Sequence, residues 1–235
     1  MPRHTQTSFF AHLEMLLLEQ MVFAAHQPQH IALHGFCHQA TVDWLMERYC
    51  PQSIYWVDGA HLKHVSSRVI VTPHVPEGSV DCYLVAQAHM CQWHNQEWLA
   101  TMHRSLVTGG MMLCHGLGVG SFGASADASA VPCIDMTVLG DALHQQGWSE
   151  AGVSMHDIEW EVASAALAVR ELADGGIRLC QKYSNQDRCA AMTWPQNWPI
   201  KVLLAHARRA DSRHVAAVPI SAIRRRYNSL EQGHL

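Results

Sequence analysis

Ile31-Ala-Leu-His-Gly35 and, eighteen residues after that glycine, Ser53-Ile-Tyr-Trp-Val57-Asp58 decide how this chain folds. Each is a brief apolar run rich in β-branched or aromatic residues, too short for a helix, and each ends in a residue suited to a turn. The pattern predicts two buried strands. Between them Thr41 to Tyr49 spaces Val42, Leu45 and Met46 as one face of a helix, and Pro51 closes it. A strand, a turn, a helix and a second strand form the repeating unit of a parallel sheet.

Working outward, Phe9, Phe10, Leu13, Leu16, Leu17, Met21 and Val22 recur at helical spacing and predict a first helix over 7–25. Short strands are expected at Val69 to Val71 and Val80 to Ala86, with Pro73, Pro76 and Gly78 marking the loop between them. Asn95 is a suitable N-cap for a helix running to Val107 and ended by Gly109-Gly110, after which Met111 to Leu117 reads as a fifth strand. A helix over 137–146 stopped by Gly147, a strand over 153–162 and a helix over 163–173 follow. Residues 175–200 read as a loop or insertion before a last strand at Ile200 to His206. The expected fold is α/β, a Rossmann-like sandwich with a central, mostly parallel sheet and helices on both faces. Residues 1–174 form its core, and 175–235 complete the sheet and end in a basic tail. Ligands of such sheets bind beyond the C-terminal strand ends, where strand order reverses. That places the expected site near Gly35, Asp58 and Ala86.

Composition agrees with a folded domain. Of 235 residues, 49% are hydrophobic and 15% charged, which excludes a disordered or collagen-like chain. The longest apolar runs fall short of the ~20 residues that span a bilayer, and the first ten residues lack the pattern of a secretory leader, so the cytoplasm is the expected location. Eight cysteines without a CxxC pair read as buried thiols rather than a disulfide framework. Residues 201–235 hold seven of the sixteen basic residues and two of the twenty acids, a tail of +5 against −9 for the remainder. Such a tail suits an acidic partner, or is a solvated charge run.

A glycine ending the first strand lets backbone approach a ligand, and a carboxylate ending the second can accept from both hydroxyls of a ribose. Gly35 and Asp58 occupy those places. Farther on, Pro76-Glu-Gly-Ser-Val-Asp81, Gln92-Trp93 and His103-Arg-Ser-Leu-Val-Thr-Gly-Gly110 resemble the "P-D-G-S-F-D", tryptophan and "R-V-L-K-P-G-G" segments of the class I S-adenosylmethionine-dependent methyltransferases. Ile134-Asp-Met-Thr-Val-Leu-Gly-Asp-Ala-Leu-His-Gln-Gln-Gly-Trp148 and Thr193 to Arg208 are similar to the matching segments of the malonyl-acyl-carrier-protein O-methyltransferases of biotin synthesis. The resemblance implies S-adenosylmethionine as cofactor, with Gly35 and Phe36 passing the methionine part, Asp58 and Gly59 at the ribose, and Ala86 and Gln87 bordering the adenine or methyl side. It further implies an acidic acyl carrier protein as partner of the basic tail. Methyl transfer needs proximity more than a strong base, and no catalytic residue is assigned.

The departures from that family carry equal weight. Its cofactor loop reads acid-x-Gly-x-Gly-x-Gly, whereas this chain has Leu33-His-Gly35-Phe-Cys37-His-Gln39, and no acidic residue lies between Asp58 and Glu77. With charge-assisted hydrogen bonds worth roughly 1.5–3 kcal/mol each, two missing anchors weaken cofactor binding by about a hundredfold or more unless other contacts replace them. The alternative to an enzyme is therefore a pseudoenzyme that keeps the fold as an interaction module, its pocket closed by Leu33, Cys37 and Gln39.

Two other constellations compete. Gly118-Val-Gly-Ser-Phe-Gly123 spells the dinucleotide fingerprint but follows the fifth strand without a clear helix after it, and reads better as a lid. His89-Met-Cys91-Gln-Trp-His94 and His34-x3-His38 hold zinc-type ligands, but no second cluster completes a tetrahedral set, so no metal site is assigned. Trp93 and Trp98 suit either a substrate edge or the core.

Overall fold

The computed structural model describes residues 9–24, 26–36, 38–57, 66–86, 95–121, 133–162, 164–174 and 197–210. In chain order the elements are α1 (Phe9–Phe23), β1 (His30–His34), α2 (Gln39–Tyr49), β2 (Ser53–Val57), β3 (Val69–Thr72), β4 (Val80–Val85), α3 (Gln96–Ser105), β5 (Leu106–Leu117), α4 (Met136–Gln145), β6 (Trp148–Glu161), α5 (Ala165–Asp174) and β7 (Asn197–Arg209). The strands form one seven-stranded sheet in the order β3-β2-β1-β4-β5-β7-β6. Strands β1 to β5 pair in parallel, while β7 runs antiparallel between β5 and β6. Strand order reverses at β1, between β2 and β4, so a crevice is expected beyond its C-terminal end.

Alternation along the strands sends side chains to two cores. Ala32, Tyr83, Val85, Met112 and Cys114 meet Leu99 and Met102 of α3 and Leu139 and Leu143 of α4. Ile31, Leu33, Ile54, Trp56, Cys82, Leu84 and Leu113 meet Leu17, Leu18 and Met21 of α1 and Val42 and Leu45 of α2. The central strands read as unbroken apolar runs because both of their faces are covered. A third cluster joins Phe9, Phe10 and Leu13 of α1 to Ala168 and Leu172 of α5 and to Trp160, Trp198 and Ile200 on the β6–β7 ribbon. The Phe9 ring stacks on Trp160 with centroids 4.7 Å apart, and its backbone amide donates to Glu171 Oε2 at 3.0 Å.

Local chemistry explains most boundaries. Asn95 caps α3 as expected, its side chain accepting from the Glu97 and Trp98 amides, and Asp135 does the same for α4 through Thr137 and Val138. Asp81, the last residue of the Pro76–Asp81 motif, accepts from the Gln29 and His30 amides and pins the entrance to β1. Three expected boundaries are corrected, the first being β6, which begins at Trp148 and not at Val153. The helix expected to reach Val107 ends at Ser105, and Leu106 already enters β5. Gly109, at φ +77°, lies inside that strand, where pairing with β4 shifts register between Val80 and Cys82; the glycine pair forms an irregularity in a strand rather than a helix stop. The last strand begins at Asn197, not Ile200, because Trp198 and Pro199 already pair with Trp160 and Glu159 of β6.

Candidate functional site

The crevice is built around the end of β1. His34 pairs in register with Val57 on one side and Val85 on the other, so the last residues of β2 and β4 flank it. The adjacency of the first two strands, on which the expected site depends, is therefore present. Gly35 follows at φ +79°, a left-handed conformation that disfavours any side chain, and turns the backbone across the strand ends. The Ala86 amide donates to the His34 carbonyl at 2.8 Å, which closes the β1 and β4 ends together. Phe36 is buried, packed among the α1/α2 side of the core, and its carbonyl accepts from the Trp56 indole at 3.2 Å. Of the six cofactor residues expected from the sequence, Gly35, Phe36 and Ala86 meet at this rim. Asp58, Gly59 and Gln87 lie outside the described residues, as do Cys37, the His89–His94 cluster and Trp93.

Leu33, at the place where the related family carries an acid, is fully buried in the α1/α2 core. A carboxylate nevertheless reaches this end of the sheet from another element. Glu14 of α1 is 2% exposed, and its Oε1 lies 2.9 Å from Nδ1 of His38, the N-cap residue of α2. Its other oxygen accepts from the Thr41 hydroxyl in the first turn of the same helix. His38 makes no side-chain capping bond of its own, so Glu14 supplies from outside the negative group that a helix N-terminus favours.

Beside this pair stands His115 of β5, 1% exposed and edge-on to Phe36 at 6.3 Å. Neither ring nitrogen has a hydrogen-bond partner among the described residues. Burial pulls its imidazole down to about 4, with the Glu14 charge opposing that shift, so the ring is neutral near pH 7. On the opposite face of the sheet His34 meets the Tyr83 hydroxyl at 3.2 Å and lies 5.6 Å from the Trp98 ring. Trp98, partly buried, packs against the α3/α4 core.

The remaining sequence candidates resolve in part. Gln39 turns along its own helix, its amide donating to Asp43 at 3.0 Å. Gly118 to Ser121, the start of the literal dinucleotide fingerprint, is a turn tied to β7: the Ser121 hydroxyl donates to the Gly118 carbonyl and accepts from the Lys201 amide. The rest of the fingerprint and the residues that follow it, 122–132, lie outside the described residues. Among the described residues no group of three or more His, Cys, Asp or Glu side chains is arranged to hold a metal ion, and no helix is long and apolar enough to cross a membrane. A groove of about 280 Å³ between α3 and α4 is lined by Gln96, Leu99, Val138, Asp141 and their helical neighbours, with no residue of a strand end.

No protein-family model matches the sequence, and no curated protein matches it. Solved structures do match in shape. Phosphoethanolamine N-methyltransferase 2 of Haemonchus contortus, in complex with S-adenosyl-L-methionine, superposes with a TM-score of 0.55 at 11% identity over 85% of this chain and 53% of the other. The YcgJ protein of Bacillus subtilis superposes with a TM-score of 0.58 at 11% identity over 86% of this chain and 100% of its own. This is the class I methyltransferase fold. The chain spans about half the length of the Haemonchus enzyme. The cyclase SpnF shares the fold, with a TM-score of 0.52 at 12% identity over 85% of this chain and 81% of the other. The architecture therefore does not by itself fix the reaction.

Proposed function

We propose that the chain binds S-adenosylmethionine at the end of β1 and transfers its methyl group to an oxygen, a carboxylate on an acyl chain held by an acidic carrier protein. The observation that carries the reading is the turn at Gly35: it crosses the strand ends at the point where β2 and β4 diverge from β1, the place where α/β sheets of this order bind ligands. Asp58 directly follows the last residue of β2 and is the ribose anchor in this reading, with Gly59 beside it; Ala86 and Gln87 border the far side. In the reaction a carboxylate oxygen forms the new bond to the methyl carbon while the carbon–sulfur pair returns to sulfur. The products are a methyl ester and S-adenosylhomocysteine, with no proton to remove. The protein's contribution is alignment, which requires no general base. The basic tail is the proposed contact for the carrier.

A second reading, a module that keeps the fold without the cofactor, draws on Leu33, which offers a buried methyl surface where a polar anchor is needed. Titration calorimetry separates the two. The enzyme reading expects S-adenosylmethionine to bind in the micromolar range, and Asp58→Ala to weaken binding by about tenfold or more, the loss of a charge-assisted ribose contact. Absence of heat at millimolar ligand removes the enzyme reading.

A further inference from the structure

The turn after β1 is fastened on both sides of Gly35. Before it, the His34 carbonyl accepts from the Ala86 amide at 2.8 Å, which ties the turn to the main chain at the end of β4. After it, the Phe36 carbonyl accepts from the Trp56 indole at 3.2 Å, which ties the turn to a side chain of β2. Gly35 between them holds φ +79°, and a glycine by itself visits many other conformations at similar cost. The two fastenings fix what that residue leaves free. Trp56 is 1% exposed and Phe36 5%, both within the α1/α2 core, so an indole N–H and a loop carbonyl that lost each other would both be shut away from water. Packing and hydrogen bonding divide the work here. The buried phenyl ring fixes where Phe36 sits but not which way its carbonyl points, and the directional indole N–H fixes the carbonyl.

We infer that Trp56 is a positioning residue of the crevice: from inside the core, and through the Phe36 carbonyl, it sets the path of the turn that crosses the strand ends. For its effect on binding the inference rests on the cofactor reading above; for its effect on the turn it rests on the two fastenings alone. Asp58, the ribose anchor of that reading, comes two residues after Trp56. In that reading one strand end supplies both the anchor and the fastening, and the methionine side and the ribose side of the ligand are held in register by β2.

The test uses Trp56→Phe in the full chain, which keeps an aromatic ring in the core and removes the N–H. In chymotryptic digestion under native conditions, cleavage after Phe36 is expected to accelerate about tenfold, the equivalent of one lost buried hydrogen bond. Two other sites in the same digest serve as references. Phe23, 94% exposed at the end of α1, is expected to be cleaved at the wild-type rate, and Tyr83 of β4, 4% exposed, reports opening of the whole sheet. No acceleration after Phe36, or equal acceleration after Phe36 and Tyr83, overturns the inference, because the indole then only fills the core. Calorimetry with S-adenosylmethionine, well below the melting temperature of both proteins, reads the effect at the crevice. The variant is expected to bind about tenfold more weakly than the wild type. Affinity within about twofold of the wild type overturns the positioning role, even where the digest shows the turn released, and leaves the cofactor reading intact. If the wild type binds no S-adenosylmethionine, the cofactor reading fails, and the digest alone decides whether Trp56 sets the turn.

Discussion

The two faces of the sheet meet the same crevice with different chemistry. On the α1/α2 face the polar groups are a carboxylate and a starved imidazole: Glu14 is held by His38 and Thr41, and His115 has both nitrogens unpartnered among the described residues. On the α3/α4 face an uncharged phenol, Tyr83, meets His34, with the Trp98 indole close by. Both histidines are buried and both stand near the C-terminal end of a parallel strand. They differ in what the helix above offers, for α1 brings a carboxylate and α3 brings an indole. One fold thus sets a carboxylate on one side of the sheet and an indole on the other by the choice of a single residue on each covering helix.

The largest expected consequence lies on the carboxylate side. Glu14→Ala removes a buried carboxylate that partners the Thr41 hydroxyl and the His38 ring, and leaves a void between α1 and α2. A loss of about 3 kcal/mol in denaturant unfolding is expected, typical of deleting one partner of a buried pair. A loss below about 1 kcal/mol shows the contact to be ornamental and removes the contrast between the faces.

Next in size is the response to pH. Because the folded-state His115 lies near 4 and an unfolded histidine near 6.5, the unfolded chain binds the additional proton between those values, and stability rises with pH across that window. Above pH 6.5 the ring is neutral in both states and adds no slope; below pH 4 both states are protonated. The group's share is at most on the order of 3 kcal/mol between pH 4 and 6.5. In His115→Phe that part of the slope is expected to vanish, leaving a flatter curve when unfolding free energy is measured at several pH values. An unchanged slope shows that the ring is hydrated or paired in solution.

The contrast between faces also explains what could be read from the sequence. The strands β1 and β2 were legible because each is a bounded apolar run, and α3 because Asn95 announces its start; these are local signals. The positions of Gly35 and Ala86 at strand ends were legible for the same reason, since each follows directly on a strand; their contact with a ligand is the proposal made above. Glu14 was not. On a helix whose pattern is dominated by apolar residues it reads as one of the solvent-facing positions, and its partners lie 24 and 27 residues away. Only the docking of α1 against β5 turns it inward. His115 is equally silent, embedded in Met111-Met-Leu-Cys-His-Gly-Leu117, where the run as a whole correctly indicates a buried strand and hides that one member is an imidazole. The glycine pair at Gly109 failed for a different reason: a left-handed glycine ends a helix and kinks a strand with the same φ, and only pairing with β4 distinguishes them.

The smallest effect is expected on the indole side, and it tests whether that side is as unstressed as its chemistry implies. Tyr83→Phe removes the hydroxyl 3.2 Å from the His34 ring and keeps the ring volume that fills the α3/α4 core. A neutral hydrogen bond contributes about 1 kcal/mol net, so the unfolding free energy should fall by about that amount. Because the removed group is uncharged, the loss should also be insensitive to salt, unlike a change at a charged contact with solvent access such as His38. A loss approaching that of Glu14→Ala means that His34 depends on Tyr83 as strongly as His38 and Thr41 depend on Glu14. Both faces would then be stressed alike, and the contrast drawn between them would fail.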